Sequence, residues 1–229
     1  MQVRRKLRRW HIWLGWIVGL PLLAWTVSGL VMVARPIEEV RGEALLRPAA
    51  GLPSGLRPMP PLIGPRPVSS LALEQRVEGP RWVIRYADGG ARLADAATGR
   101  LLPSLTAADA ARSIQARYAG EARVAAVDRT PADRPPMDLR RPVEAWRVTM
   151  SDGTRFYLDA RTGELLARRT RWWRIYDFMW GLHIMDLSTR EDTHNPLVIG
   201  FGVVTLATMT MALALLPMTL RRRRKGGRD

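Results

Sequence analysis

Residues 10–34, WHIWLGWIVGLPLLAWTVSGLVMVA, run for 25 residues without a charged side chain, and residues 195–220, NPLVIGFGVVTLATMTMALALLPMTL, do so for 26. A helix needs about 20 apolar residues to cross the hydrocarbon core of a bilayer. Each stretch therefore predicts a membrane span, and a purely soluble fold is excluded. The first stretch is longer than the ~7–15 apolar residues of a cleavable leader and has no small-x-small site before Arg35, so it predicts a permanent anchor. Pro21 is tolerable inside it.

The charge is placed around these spans. Arg4, Arg5, Lys6, Arg8 and Arg9 precede the first, and Arg221–Arg224, Lys225 and Arg228 follow the second. With Asp229 subtracted, these tails hold +10 of the formal +15 and leave +5 for everything between them. Basic flanks stay in the cytoplasm, so the expected topology has both termini cytoplasmic and the central domain periplasmic. The same placement argues against a nucleic-acid partner; membrane lipid is the expected neighbour. The absence of cysteine removes disulfides, iron–sulfur clusters and covalently attached c-type haem.

Between the spans, residues 82–102 (WVIRYADGGARLADAATGRLL) align without gaps with residues 146–166 (WRVTMSDGTRFYLDARTGELL). Trp82/Trp146, Asp88/Asp152, Gly89/Gly153, Asp95/Asp159, Thr98/Thr162 and Gly99/Gly163 are identical. Each copy predicts two strands joined at an Asp-Gly turn, where glycine supplies φ > 0, followed by a second tight turn. The four aspartates suit turns rather than paired catalytic acids. Thr106, Asp109, Ala110, Ile114 and Tyr118 predict a capped amphipathic helix, and a strand is expected over 122–127. The expected organisation is a cytoplasmic tail (1–9), a transmembrane helix (10–34), a proline-rich linker (35–67), a folded domain (68–170), an interfacial amphipathic helix (171–187), a second transmembrane helix (195–220) and a cytoplasmic tail (221–229). The fold class is thus membrane-anchored α+β, two transmembrane helices flanking a periplasmic domain of repeated helix-plus-hairpin units.

Three features together resemble a PepSY domain held between PepSY-associated transmembrane helices. They are the start Arg9-Trp-His-Ile-Trp-Leu-Gly-Trp-Ile-Val-Gly19, the segment Leu158-Asp-Ala-Arg-Thr-Gly-Glu-Leu-Leu166, and Trp180-Gly-Leu-His-Ile-Met-Asp186 leading to His194-Asn-Pro196. The resemblance implies two roles. Soluble PepSY domains are similar to protease propeptide modules that bind a partner, whereas multi-span relatives include inner-membrane ferrisiderophore reductases that carry haem between membrane histidines.

The chain has three histidines, all of which are candidate haem b ligands, with His11 and His183 the candidate iron ligands. His11 stands at one end of the first span, on a helical face with Gly15, Val18, Leu22 and Gly29. His183 falls among Trp172, Tyr176 and Met179 on a helical wheel, and an imidazole in an apolar stripe needs a hydrogen-bond partner, a metal or a helix neighbour. His194, before Asn195-Pro196, sits where a helix cap is expected. A first span of roughly 35 Å keeps His11 and His183 from sharing one iron, so a homo-oligomer joined across Gly15-x-x-x-Gly19, or a membrane-protein partner, is expected. Met179 or Met185 could supply a second ligand beside His183. The expected function is electron transfer through haem to a periplasmic acceptor such as a ferric chelate. The alternative is a non-enzymatic, membrane-tethered binding module or accessory subunit.

Overall fold

The computed structural model describes residues 2–225, with side chains for residues 5–217. The chain forms two compact units, one built from both chain ends (through Pro36 and from Ile175) and one from Ile37–Arg174. Residue 1 and residues 226–229, which belong to the expected cytoplasmic tails, lie outside the described residues.

In the first unit, α1 (Gln2–Val33) packs against α5 (Pro196–Lys225). Both are long and apolar enough to cross a membrane. Among the protected positions of α1, His11, Gly15, Val18, Leu22, Gly29 and Met32 recur at alternating steps of three and four once Trp25 is added to the row. Val198, Phe201, Thr205, Thr208, Ala212 and Leu215 do the same on α5. This is the spacing that keeps one seam facing a partner helix. The remaining surface is exposed and apolar, with Trp16 80% and Leu20 75% exposed on α1 and Leu197 and Leu206 each 69% exposed on α5. In a membrane that surface meets lipid. Three hydroxyls within the spans are satisfied by their own helix: Thr26 donates to the Leu22 carbonyl, Thr208 to Val204 and Thr210 to Leu206.

The second unit carries two antiparallel sheets. β1 (Val68–Arg76), β2 (Gly79–Tyr86) and β3 (Ala91–Asp95) form the first in that order; β4 (Val124–Thr130), β5 (Ala145–Met150), β6 (Arg155–Asp159) and β7 (Leu165–Arg169) form the second. The two short helices are α2 (Ile37–Arg41) and α3 (Ala107–Arg117). Thr106 and Asp109 cap α3 reciprocally, and its buried Ala110 and Ile114, with Tyr118, pack on Val148, Met150, Phe156 and Leu158. Side chains alternate across a strand, so Tyr157, between Phe156 and Leu158, enters a separate cluster with Leu139, Ala145 and Ala167. The second sheet is thereby buried on both faces.

The two aligned segments adopt matching turns. Gly89 and Gly153 have φ of +80° and +82°, and Gly99 and Gly163 have +68° and +67°. In each copy one aspartate, Asp95 or Asp159, accepts hydrogen bonds from the next turn's main chain and from Thr98 or Thr162. Each copy also clamps an extended segment from upstream. Met59 N–H donates to the Ala96 carbonyl while the Trp82 indole donates to the Met59 carbonyl. Leu105 N–H likewise donates to Ala160, and the Trp146 indole to Leu105.

Two differences from the sequence expectation stand out. The stretch 35–67, expected as a linker, is part of the fold: Val40 and Leu46 are buried, Leu46 bridges to Tyr118, and residues 59–62 are held as a strap on the first hairpin. The first sheet is preceded by the five-residue α2 rather than by a counterpart of α3, and it gains β1 as a third strand. The strand expected at 122–127 runs from Val124 to Thr130.

Candidate functional site

The imidazole of His183 closes α4 (Arg171–His183) and stacks on the Trp25 indole, with ring centroids 4.3 Å apart. Its Nδ1 lies 3.0 Å from Ser28 Oγ and 3.2 Å from the Trp25 carbonyl oxygen. The Ser28 hydroxyl donates to that same carbonyl at 2.8 Å. A carbonyl only accepts, so the contact with the Trp25 oxygen calls for the proton on Nδ1, and the Ser28 hydroxyl is then left to donate to that same carbonyl. Nε2 is then the atom with the free lone pair. Gly29 makes the approach possible, since a Cβ there would lie 3.4 Å from His183 Cε1.

Beside this pair is an apolar groove of about 520 Å³, within the range of small-molecule and cofactor sites. Pro21 and Trp25 of α1, Leu182 and Met185 after the α4 core, and Phe201 and Val204 of α5 are among its walls. The helix preceding it ends in a Schellman motif, with Met185 N–H bonded to the Leu182 carbonyl and Asp186 N–H to Gly181. The left-handed position of that motif normally holds glycine, yet here it is Met185, at φ +57°. A left-handed non-glycine residue costs about 1–2 kcal/mol, so the methionine is kept against its backbone preference. Met185→Gly is expected to raise stability by about 1 kcal/mol, seen as a rise of roughly 2–4 °C in the unfolding temperature. A lower temperature would show that the side chain's packing in the groove outweighs the strain.

Asp186 fixes the loop that follows. Its carboxylate accepts from Ser188 and Thr189, through both side chain and main chain, and from the amides of Glu191 and Asp192. The Thr189 hydroxyl and amide, followed by Ser188, hold its pKa far below the ordinary carboxylate value. Asp177, 5% exposed, meets the Arg190 guanidinium at 2.6 Å, and the Trp180 indole donates to the Arg190 carbonyl. Asn195 then caps α5, its Oδ1 accepting from Leu197 and Val198. The chain from His183 to α5 is thus locked by hydrogen bonds, and His183 is held from both ends.

The other two histidines lie elsewhere. His194 is on an exposed turn, its Nδ1 3.2 Å from Thr193 Oγ1. His11 is half-buried, with Nδ1 buried and unpartnered, and 18 residues of helix put it about 27 Å from Gly29, where His183 sits. A Cβ at Gly15 or Gly19 would meet nothing within 4 Å, so neither glycine is in close contact with another segment of the chain. Among the described residues no three His, Asp or Glu side chains converge as a metal site.

A family model described as the PepSY-associated TM region matches residues 8–225. The chain belongs to this family. No curated protein and no solved structure shows a significant match. The PepSY-type chain is therefore a membrane-associated protein whose shown family covers both spans and the domain between them.

The residues suit a haem at His183. An imidazole whose Nδ1–H is tied to a carbonyl leaves Nε2 free to ligate iron; the apolar groove beside it is walled by the stacked Trp25, while His183 itself is not among its lining residues. The buried, unpartnered Nδ1 of His11 is likewise a donor set short of a partner. Exposed His194 shows neither property. Sequence pattern alone does not point to Trp25 and Ser28, and it does not link Gly29 or Asp186 to His183. The usable signal was Ser28-Gly29, a hydroxyl beside a missing side chain inside an otherwise apolar run.

In the domain, the buried phenols and the turn aspartates are occupied. The Tyr118 hydroxyl donates to Asp152 at 2.7 Å, and burial together with that carboxylate pushes its pKa up to about 12. Burial and the Asp138 carboxylate also raise the pKa of Tyr157. Both phenols stay protonated donors. Asp88 is held low by the Gly90 amide and the Arg66 guanidinium.

Proposed function

We propose that the protein is an inner-membrane carrier of b-type haem that passes electrons to a periplasmic acceptor such as a ferric chelate, with both termini cytoplasmic and the domain periplasmic. The observation that carries this is the seating of His183 Nδ1 against the Trp25 carbonyl, which leaves Nε2 for a ligand, beside the apolar groove. When bound, the haem supplies one-electron redox chemistry. His183 would hold the haem through Nε2, with Trp25 and Ser28 fixing its ring and Pro21, Leu182, Phe201 and Val204 keeping water from the groove. Met185 offers a thioether on the same groove. His11, about 27 Å away along α1, is the candidate ligand of a second site completed by another copy across Gly15 and Gly19 or by a partner subunit. A visible spectrum and a pyridine haemochrome assay of protein purified from haem-replete cells test this: a Soret band with stoichiometric haem is expected, and its absence overturns the proposal.

One observation favours the alternative, a tethered binding module or accessory subunit without enzymatic activity. His183 is also satisfied as a packing residue, and Asp88, Asp95, Asp152 and Asp159 are all spent on turns and ion pairs, leaving a surface rather than an acid–base pair. A haem-free wild-type protein would support that role.

A further inference from the structure

A groove of about 280 Å³ in the domain is lined by Arg41 of α2, by all of β7 from Leu165 to Arg169, and by Trp173 at the start of α4. β7 is an edge strand, paired only with β6. Around it Arg41 and Arg168 are weakly compensated. Arg41 reaches Glu43 only at 3.9 Å and keeps a side chain 62% exposed. Arg168 donates to a main-chain carbonyl, that of Glu43, at 3.1 Å, and has no ion pair among the described residues. Arg169 lies over the Trp173 ring, 4.0 Å from its centroid. Glu38 and Glu39 of α2 are not among the lining residues.

The position of this groove in the chain decides its ligand. Arg41 follows the end of α1 at Val33 by eight residues, a reach of at most about 28 Å even when fully extended. Arg169 precedes Ile175, where the chain rejoins the membrane unit, by six residues. The groove is therefore built from the segments that tie the domain to its two membrane helices, and it combines guanidiniums, leucines and a tryptophan. From these features we infer that the groove binds the phosphate headgroup of an anionic phospholipid, with Arg41 and Arg168 as the phosphate ligands and Trp173 and Leu165 against the glycerol and upper acyl region. Guanidinium matches phosphate geometry, and tryptophan settles at headgroup depth. Addition of a peptide strand to β7 is the competing use of such an edge, but two consecutive arginines on a five-residue strand are the usual protection against it.

The full-length protein in neutral detergent, tested by native mass spectrometry with phosphatidylglycerol and phosphatidylcholine, decides the matter. Wild type is expected to retain phosphatidylglycerol in preference, and R41Q/R168Q to lower that retention on the order of tenfold, given roughly 1 kcal/mol per basic residue at an anionic surface. A charge-matched control, R92Q/R123Q, removes two exposed arginines elsewhere and should retain the lipid as wild type does. R41Q alone, which breaks no short hydrogen bond, should give an intermediate loss even if the double variant folds poorly. Equal retention by wild type and R41Q, or equal loss in the control, overturns the site. Displacement of the lipid by millimolar inorganic phosphate would instead show a free-anion site, and protection of β7 amides from exchange only by an added peptide would show strand addition; either result also overturns it. The outcome does not depend on haem.

Discussion

His183→Phe, purified beside wild type from haem-replete cells, is expected to carry less than about a tenth of the wild-type haem at the groove while keeping its fold. Phenylalanine preserves a ring against Trp25, so the stacked contact of 4.3 Å survives in kind and the lost property is the Nε2 lone pair. Ser28→Ala probes the layer behind it. That substitution leaves the Trp25 carbonyl as the remaining acceptor for Nδ1–H, and removing an outer partner of a ligating histidine typically weakens binding about 10–100-fold. The expected order of haem content is wild type, then Ser28→Ala, then His183→Phe. Haem retained in full by His183→Phe would assign the ligand elsewhere, with His11 the next to replace.

The second large effect lies in the domain. A Cβ on Gly99 would stand 2.2 Å from the Pro60 carbonyl oxygen, at a φ of +68°. Gly99→Ala must therefore lift the strap off the turn. The change forfeits the Met59-to-Ala96 and Leu62-to-Gly99 main-chain hydrogen bonds, each worth about 0.5–1.5 kcal/mol, and adds about 1–2 kcal/mol of left-handed strain. A loss of about 3–4 kcal/mol is expected, a large part of the 5–15 kcal/mol that usually separates folded from unfolded domains. Gly89 has φ +80° but open space around it, so Gly89→Ala should cost only the strain, about 1–2 kcal/mol. Thermal unfolding of the three proteins, with limited proteolysis at residues 57–63, measures both. Equal stability of the two variants would show that the strap is not seated on Gly99.

The parts legible in the sequence are those governed by local chemistry. Absence of charge over 25 residues marks α1, Thr106 with Asp109 marks the start of α3, and Asp-Gly with Asp-Ala-x-Thr-Gly marks turns whose glycines do have positive φ. What escaped depends on distant partners. Val40 and Leu46 are isolated apolar residues in a stretch whose composition resembles a linker, and only Tyr118 and Thr170, more than 70 residues away, make them core. The helical wheel sets His183 among Trp172, Tyr176 and Met179, but the partners it meets, Trp25 and Ser28, come from the other end of the chain. No periodicity could pair residues 155 positions apart. Met185 was noticed as a sulfur and not as an occupant of a glycine position, because the helix end was not located to the residue.

The seating of residues 40–43 against 168–170 also bears on how the membrane helices assemble. Thr170 Oγ1 donates to the Val40 carbonyl at 3.2 Å, and Arg168 to that of Glu43 at 3.1 Å, so the folded domain brings the two ends of its own chain together. To α1 and α4 it then behaves as a connection of a few residues. Unfolded, the same insert is a loop of about 130 residues, whose closure is less favourable by about 3 kcal/mol on the logarithmic scaling of loop entropy. Folding of the domain and the meeting of His183 with Trp25 are therefore thermodynamically coupled, and a substitution that opens the clasp should loosen the helix pair without touching it.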